Sequence, residues 1–208
     1  DDLGGTVRIH KWTGPGDGTP DWSVTFPGRY FGGYGPYVAV SRDGSTIAAI
    51  LTKSDHPELV VFDGSSSTPI ADKQFEDLDF PRLIRLSSNG RFVAFRAGTA
   101  IMICDRDLRR VREQIDLSYS STPLDISGNG DLIAYGWSSL VVRQWTGQSY
   151  RELWDFYDTY MVGSVSISAD GSTIVTGWYS PTFRGAKVTV HSTSSPVPLW
   201  TYQFQQSS

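Results

Sequence analysis

Short apolar runs, each closed by a polar turn, follow one another along the whole chain. None keeps the three-to-four-residue spacing and the end signals of a capped amphipathic helix, so the pattern predicts strands throughout. Alternation is clearest in Leu199-Trp200-Thr201-Tyr202-Gln203-Phe204, where Trp200, Tyr202 and Phe204 share one face of an extended chain. Other runs, such as Thr46-Ile47-Ala48-Ala49-Ile50-Leu51 and Leu132-Ile133-Ala134-Tyr135, are continuously apolar, as strands covered on both faces are. Ala48, Ala49, Ala94 and Ala134 suit a crowded layer between sheets.

The runs fall into a repeat. Ser41-Arg42-Asp43-Gly44, Ser87-Ser88-Asn89-Gly90, Ser127-Gly128-Asn129-Gly130 and Ser168-Ala169-Asp170-Gly171 begin 46, 40 and 41 residues apart. Each sits between two apolar runs, and its Asp-Gly or Asn-Gly pair predicts a tight hairpin with positive φ angles. A first strand precedes each phrase: Tyr37–Ser41, Leu83–Ser87, Pro123–Ser127 and Ser164–Ser168. Second strands follow at Ser45–Leu51, Arg91–Arg96, Asp131–Trp137 and Ser172–Trp178. Third strands are expected at Leu59–Asp63, Ala100–Asp105, Leu140–Trp145 and Lys187–Ser192, and fourth strands at Pro69–Phe75, Val111–Leu117, Tyr150–Phe156 and Pro198–Phe204. A period of about 40–50 residues with one turn per copy predicts an all-β fold, a β-propeller of four-stranded antiparallel blades.

Residues 1–36 supply only a third and a fourth strand, Thr6–Trp12 and Asp21–Phe26. The blades are therefore a half blade over 1–36 and full blades over 37–82, 83–122, 123–163 and 164–208, about four and a half in all. An unfinished ring exposes a strand edge and an apolar terminal face. Three readings stay open: a piece of a larger propeller, a five-bladed ring closing irregularly, or completion by a second chain or by self-association through strand addition.

Val40-Ser41-Arg42-Asp43-Gly44-Ser45-Thr46-Ile47-Ala48 and Ile167-Ser168-Ala169-Asp170-Gly171-Ser172-Thr173-Ile174-Val175 resemble the Ser-x-Asp-Gly core of WD-like repeats, which YVTN-type and TolB-type bacterial propellers share. Pro198-Leu199-Trp200-Thr201-Tyr202 is similar to the outer strand of quinoprotein-like blades. The resemblance spans nearly everything from Tyr37 onward and implies a fold. It implies no single function, because propellers carry unrelated activities. Unlike eukaryotic WD repeats, no Gly-His pair precedes the first strands and no Trp-Asp pair closes the third.

Composition narrows the classes. With charged residues at only 19% and hydrophobic ones at 39%, the chain can bury a core and is not of disordered type. A net charge of −4, with basic residues clustered only at Arg106–Arg112, argues against nucleic acid as a partner. No run reaches the length of a membrane-spanning helix. Residues 1–5 do not read as a signal peptide, and lone Cys104 reads as a small core residue. Ser/Thr-rich loops and only four lysines lean toward a secreted or cell-surface, bacterial-type protein.

Loops joining fourth strands to the next blade, and second strands to third, should share one side of the propeller. They are rich in aromatic and charged residues, whereas loops of the opposite side are mainly Ser, Thr, Asn, Gly and Pro. Aromatic rings offer contact area at small entropic cost. Tyr30, Phe31, Tyr34, Asp79, Arg82, Tyr119, Asp158, Tyr160, Tyr179 and Arg184 are accordingly the candidate binding residues, for a protein or another macromolecule.

Catalytic and cofactor signals are weak. His10, His56 and His191 lie in different blades without metal-type spacing, and His10 and His191 read as structural. There is no G-x-S-x-G elbow, phosphate-binding loop or cofactor motif. The acid groups Glu76, Asp77 and Asp79, and Asp155 with Asp158, have the chemistry of Ca²⁺ ligands or glycosidase pairs but read first as solvated loops. A non-catalytic binding module is the leading expectation. A fragment of a propeller hydrolase or quinoprotein-like oxidoreductase is the alternative, and a purely structural repeat domain the third.

Overall fold

The computed structural model describes residues 6–14, 17–30, 37–53, 56–75, 81–117, 122–180, 182 and 185–204, with backbone alone for Tyr30, Lys53, Pro81 and Arg82. Every regular element among them is a β-strand. The first sheet holds β1 (Thr6–Lys11) and β2 (Trp22–Pro27). The second holds β3 (Arg29–Tyr30), β4 (Tyr37–Val40), β5 (Thr46–Lys53), β6 (His56–Asp63) and β7 (Pro69–Gln74). Its order is β3-β5-β6-β7, with β4 also on β5. The third runs β8 (Pro81–Leu86), β9 (Phe92–Ala97), β10 (Ala100–Asp105), β11 (Val111–Asp116), and the fourth β12 (Leu124–Ile126), β13 (Leu132–Gly136), β14 (Ser139–Trp145), β15 (Tyr150–Tyr157). The last is β16 (Met161–Ile167), β17 (Thr173–Tyr179), β18 (Ala186–Ser192), β19 (Pro198–Phe204). Apart from β3, which shares the edge of β5 with β4, sequential strands within each sheet are neighbours, so each repeat is a meander.

The segment 27–36 reads as loop because it is rich in Gly and Pro, yet Arg29 and Tyr30 pair with Lys53 and Thr52. Gly28, at φ 66, turns the chain directly from β2 into β3, and the long β5 offers a free edge beyond β4.

The four repeated phrases build one device. In the first, Gly44 N–H donates to Ser41 O at 2.9 Å and Ser41 N–H to Thr46 O at 2.9 Å. The Asp43 carboxylate accepts from the Ser41 hydroxyl at 2.6 Å and from Ser45 N–H at 3.0 Å, and Thr46 N–H donates to Ser41 Oγ at 3.0 Å. Ser87 with Asn89, Ser127 with Asn129, and Ser168 with Asp170 repeat these contacts. The sequence expectation of positive φ at the Asp or Asn is corrected: Gly44, Gly90, Gly130 and Gly171 alone take it, at 70°, 65°, 79° and 74°. The loop is longer than a two-residue hairpin, and the acid or amide serves through its side chain, an Asx turn, while glycine takes the left-handed position.

The chain divides into two compact units, residues 1–98 with 104–111, and 99–103 with 112–208. In the first, Val7, Ile9, Trp22, Val24 and Phe26 pack on Ala49, Leu51, Val60 and Phe62 of the following sheet. Trp22 lies 5.4 Å from Phe62, ring to ring, and its indole N–H donates to Gly64 O at 3.1 Å. In the second unit, Ala134, Leu140, Val142, Trp154 and Phe156 of the fourth sheet pack on Val162, Val165, Ile167, Ile174 and Trp178 of the fifth. Trp154 stacks on His191 at 5.6 Å and donates its indole N–H to Thr193 O at 2.7 Å. Thr46 pairs with Asp63 and Thr173 with Ser192, so Phe62 and Gly64 occupy the repeat positions of His191 and Thr193. The same contact thus recurs in both units: an outer-strand indole lies on a third-strand ring of the next sheet and donates to the carbonyl of its turn.

His191 is fully buried. Its Nδ1 lies 2.9 Å from Pro196 O, which can only accept, so Nδ1 carries the proton. Nε2 then accepts from the Thr189 hydroxyl at 3.0 Å, and Thr189 accepts the Trp178 indole N–H at 2.8 Å. Burial lowers its pKa, so the ring stays neutral. Cys104 is also buried, and desolvation pushes its thiol up to about 11, beyond useful nucleophilicity.

Candidate binding face

The β15–β16 turn and the start of β18 carry the most developed polar arrangement on the predicted loop side. Asp158 turns the chain by accepting Tyr160 N–H at 3.0 Å through Oδ1, and its Oδ2 meets Lys187 Nζ in an ion pair. Both side chains are largely buried, at 16% and 11% exposure. Lys187 sits opposite Trp178 and Gln203 in the ladder. Its ammonium lies 5.0 Å from the Tyr160 ring centre and 5.4 Å from that of Trp178, which stabilises a partly desolvated cation. Gln203 Nε2 donates to the Tyr160 hydroxyl at 3.1 Å. A Cβ at Gly185 would lie 3.0 Å from that hydroxyl, a tight contact that the tyrosine would have to relieve by a small shift.

The first unit has a counterpart. Arg29 grips Glu58 through two bonds, Nε to Oε2 at 2.9 Å and Nη2 to Oε1 at 3.1 Å, and lies over the Phe26 ring at 5.7 Å. Glu58 raises the Arg29 pKa through that hydrogen bond. Glu58 precedes Phe62 by four residues, as Lys187 precedes His191, so the two occupy one repeat position with opposite charge. In both units that position pins the segment entering the blade, once as Arg29–Glu58 and once as Asp158–Lys187. Each pair is 29 residues apart, the signal by which sequence could have found Lys187 and Glu58, which it missed.

Of the candidate residues, Asp158 and Tyr160 meet on Lys187. Tyr179 ends β17, paired with Met161 and Ala186 and 38% exposed. Tyr157, not singled out by the sequence, is the most exposed ring of this corner at 72%. Tyr30 lies in β3 and Arg82 in β8, both described by backbone alone. Phe31, Tyr34, Asp79, Tyr119 and Arg184 lie outside the described residues, as do Glu76 and Asp77. Asp158 is engaged by Lys187 and Tyr160. His10 is exposed on β1, 2.7 Å from the Ser23 hydroxyl. Among the described residues no three His, Cys, Asp or Glu side chains gather to hold a metal ion. No described helix is long and apolar enough to cross a membrane, which says nothing of β-barrels.

A second feature is an apolar groove of about 510 Å³ between β1 and β4, lined by Ile9, Lys11, Trp12, Val38, Val40 and Ile47. Val38 and Val40 are 60% and 63% exposed along it. β1 is paired only with β2 among the described strands, so the groove borders its other edge.

No family model and no curated protein matches the chain. Solved structures do resemble it. Hydrazine synthase of Kuenenia stuttgartiensis matches with a TM-score of 0.64 at 18% identity, over 84% of this chain and 53% of that one. The Cps50 (Swd1) β-propeller domain of Myceliophteria thermophila matches with a TM-score of 0.67 at 10% identity, over 85% of this chain and 58% of that one. The chain therefore spans little more than half the length of either neighbour. At these identities the likeness is one of fold, and it agrees with the meander sheets and their repeated cross-sheet contacts: the chain is a β-propeller of four-stranded antiparallel blades, about four and a half of them.

Proposed function

We propose that this propeller is a non-catalytic binding module that takes a protein or another macromolecule on its aromatic and acidic loop side. The observation that carries this is the Asp158–Lys187–Tyr160 cluster with exposed Tyr157 and Tyr179 beside it. An internal ion pair fixes the turn, so the rings are presented at little further entropic cost on binding, which favours recognition. Arg29 and Glu58 fix β3 in the same manner.

The test is affinity capture from the natural source, with bound species identified by mass spectrometry and confirmed with purified partner. Tyr34→Ala, Tyr157→Ala and Tyr160→Ala should each weaken the confirmed interaction, while Ser66→Ala on the opposite side leaves it unchanged. Equal binding by all variants, each shown folded by its melting curve, would overturn the loop-side assignment.

A further inference from the structure

One junction of the first unit lacks the cross-sheet indole contact. The N–H groups of Gly64, Arg106 and Thr193 donate to Ser45 O, Arg91 O and Ser172 O, so Arg106 holds the turn place of Gly64 and Thr193. Val61 pairs with Ala71 as Val142 pairs with Trp154, each beside a one-residue register shift, so Ala71 stands where Trp154 does. Two residues before the turn carbonyl, where other repeats have Phe62 and His191, stands Cys104. Both rings of the contact are therefore missing between the second and third sheets. A pocket of about 400 Å³ opens at this turn, lined by Ile70, Arg91, Phe92, Asp105, Arg106 and Asp107. Its lining is rebuilt for a ring. Phe92 holds the place of Thr46, Leu132 and Thr173, since each donates its N–H to the serine hydroxyl of its own turn. By the same reasoning from the Asx turn, Arg91 replaces Ser45, Asp131 and Ser172. Its guanidinium lies 5.7 Å from the centre of the Phe92 ring. The Arg106 side chain reaches across to Thr46 Oγ1 at 3.5 Å, and Ile70 is 40% exposed at the rim.

We infer that this pocket receives a tryptophan side chain of a partner protein, its indole N–H donating to Arg106 O and its ring lying against Phe92. The two filled junctions set the pattern: Trp22 and Trp154 donate to Gly64 O and Thr193 O, the carbonyls at the place of Arg106 O. Arg91 supplies a cation for the face of an incoming ring, a contact that strengthens as water leaves. The mouth carries both signs of charge, Arg91 and Arg106 beside Asp105 and Asp107. That mixture can pair the peptide N–H and C=O groups flanking a tryptophan in a chain, as the polar rim of an interface does, whereas free indole would leave it unused. The pocket belongs to the Ser-x-Asn-Gly turn end of its blade and draws on none of the loop-side residues.

The experiment titrates the full chain, labelled with ¹⁵N, with N-acetyltryptophanamide, a single tryptophan carrying both flanking peptide groups. Saturable shifts are expected at the amides of Arg91, Phe92 and Arg106. The 1-methylindole analogue, which has lost the N–H, should bind about three- to tenfold more weakly, and indole alone more weakly than the amide. Ala71→Trp, which supplies the ring from within the chain, should raise the melting midpoint and abolish binding. Arg91→Ser, an exposed change to the residue of two other repeats, should weaken binding while the melting curve stays in place. Absence of saturable shifts, equal binding of the methylated analogue, or undiminished binding by a folded Ala71→Trp variant overturns the inference. Indole binding as tightly as the amide would assign the pocket to a free aromatic compound. Shifts that arise from protein concentration alone would assign it to a second copy. Either result overturns the partner assignment.

Discussion

Replacing Lys187 by methionine should destabilise the chain more than replacing Asp158 by asparagine, and the double variant should be better than the sum. The pair lies in a site where both side chains keep no more than 16% exposure, so its electrostatics are not those of a surface bridge. Two unit charges about 4 Å apart attract by about 4 kcal/mol at an effective dielectric of 20, and desolvation offsets much of that. Removing one member of a buried pair costs about 3–5 kcal/mol, because the survivor stays desolvated without its partner. Residual exposure puts Lys187→Met near the lower end, about 3 kcal/mol. In Asp158→Asn the amide oxygen still accepts Tyr160 N–H, and the ammonium keeps the faces of Tyr160 and Trp178. Those ring contacts, worth about 0.5–2 kcal/mol, should hold the loss to about half that of the lysine variant. Urea unfolding followed by tryptophan fluorescence measures both, with a constant m-value securing the comparison. The cycle should return a coupling of about 1–3 kcal/mol. A reversed pair, Asp158→Arg with Lys187→Glu, should recover part of the stability, since the equivalent position in the first unit already carries Glu58 opposite Arg29. Strict additivity of the two single variants would refute the pinning role.

Three further outcomes follow from the turns and the buried histidine. Gly44→Ala should cost about 1–2 kcal/mol, the penalty of a left-handed residue with open space around it. Gly90→Ala should cost clearly more in thermal melts, because its Cβ would collide with the Thr46 side chain, whose hydroxyl donates to Gly90 O at 3.1 Å. Asp43 and Asp170 have carboxyl pKa values lowered to about 2, first by the Ser41 and Ser168 hydroxyls and then by backbone N–H groups. Their depressed folded pKa adds stability above 3.8 that is lost as pH falls through about 2. Asp170→Asn should keep the turn, as Asn89 and Asn129 do, and shrink this acid loss, whereas Asp170→Ala should weaken the hairpin at every pH; NMR titration of the carboxylates checks the first point. His191, lowered by burial from 6.5, favours folding in its neutral form, so stability should decline as pH drops below 6.5 toward its folded value. His191→Phe, the residue at the equivalent Phe62 position, should flatten that slope in urea midpoints measured between neutral and mildly acid pH.

Much of the fold was legible because one phrase, Ser-x-Asp/Asn-Gly, punctuates it four times and fixes where each first and second strand must meet. The outer strands followed from spacing and from the alternation of Trp200, Tyr202 and Phe204. β3 escaped because a two-residue strand just after Gly28 carries no period, and only the extra length of β5 gives it a partner. The candidate face was half legible. Aromatic enrichment pointed to Tyr160 and Tyr179, but Lys187 lies within a strand and acquires its role from Asp158, 29 residues away. Local pattern holds no trace of such a pair; comparison of repeat positions does, once Arg29–Glu58 is placed beside it. Tyr157 was passed over because the alternation of β15 assigns it no special face, and its exposure follows from where the strand ends.

The Ser-x-Asp/Asn-Gly hairpins also bear on how the chain folds. Each closes through contacts within five residues, from the serine to the first residue of the following strand, so it can form before any distant pairing. A chain with four such seeds can begin in several places, as repeat proteins do. The same likeness is a hazard, for a seed in one repeat can recruit an outer strand from another and trap a shuffled order. What sorts them is individuality beyond the turn. Arg29–Glu58 and Asp158–Lys187 carry opposite polarity at one repeat position, so a strand docked in the wrong repeat would set like charge against like.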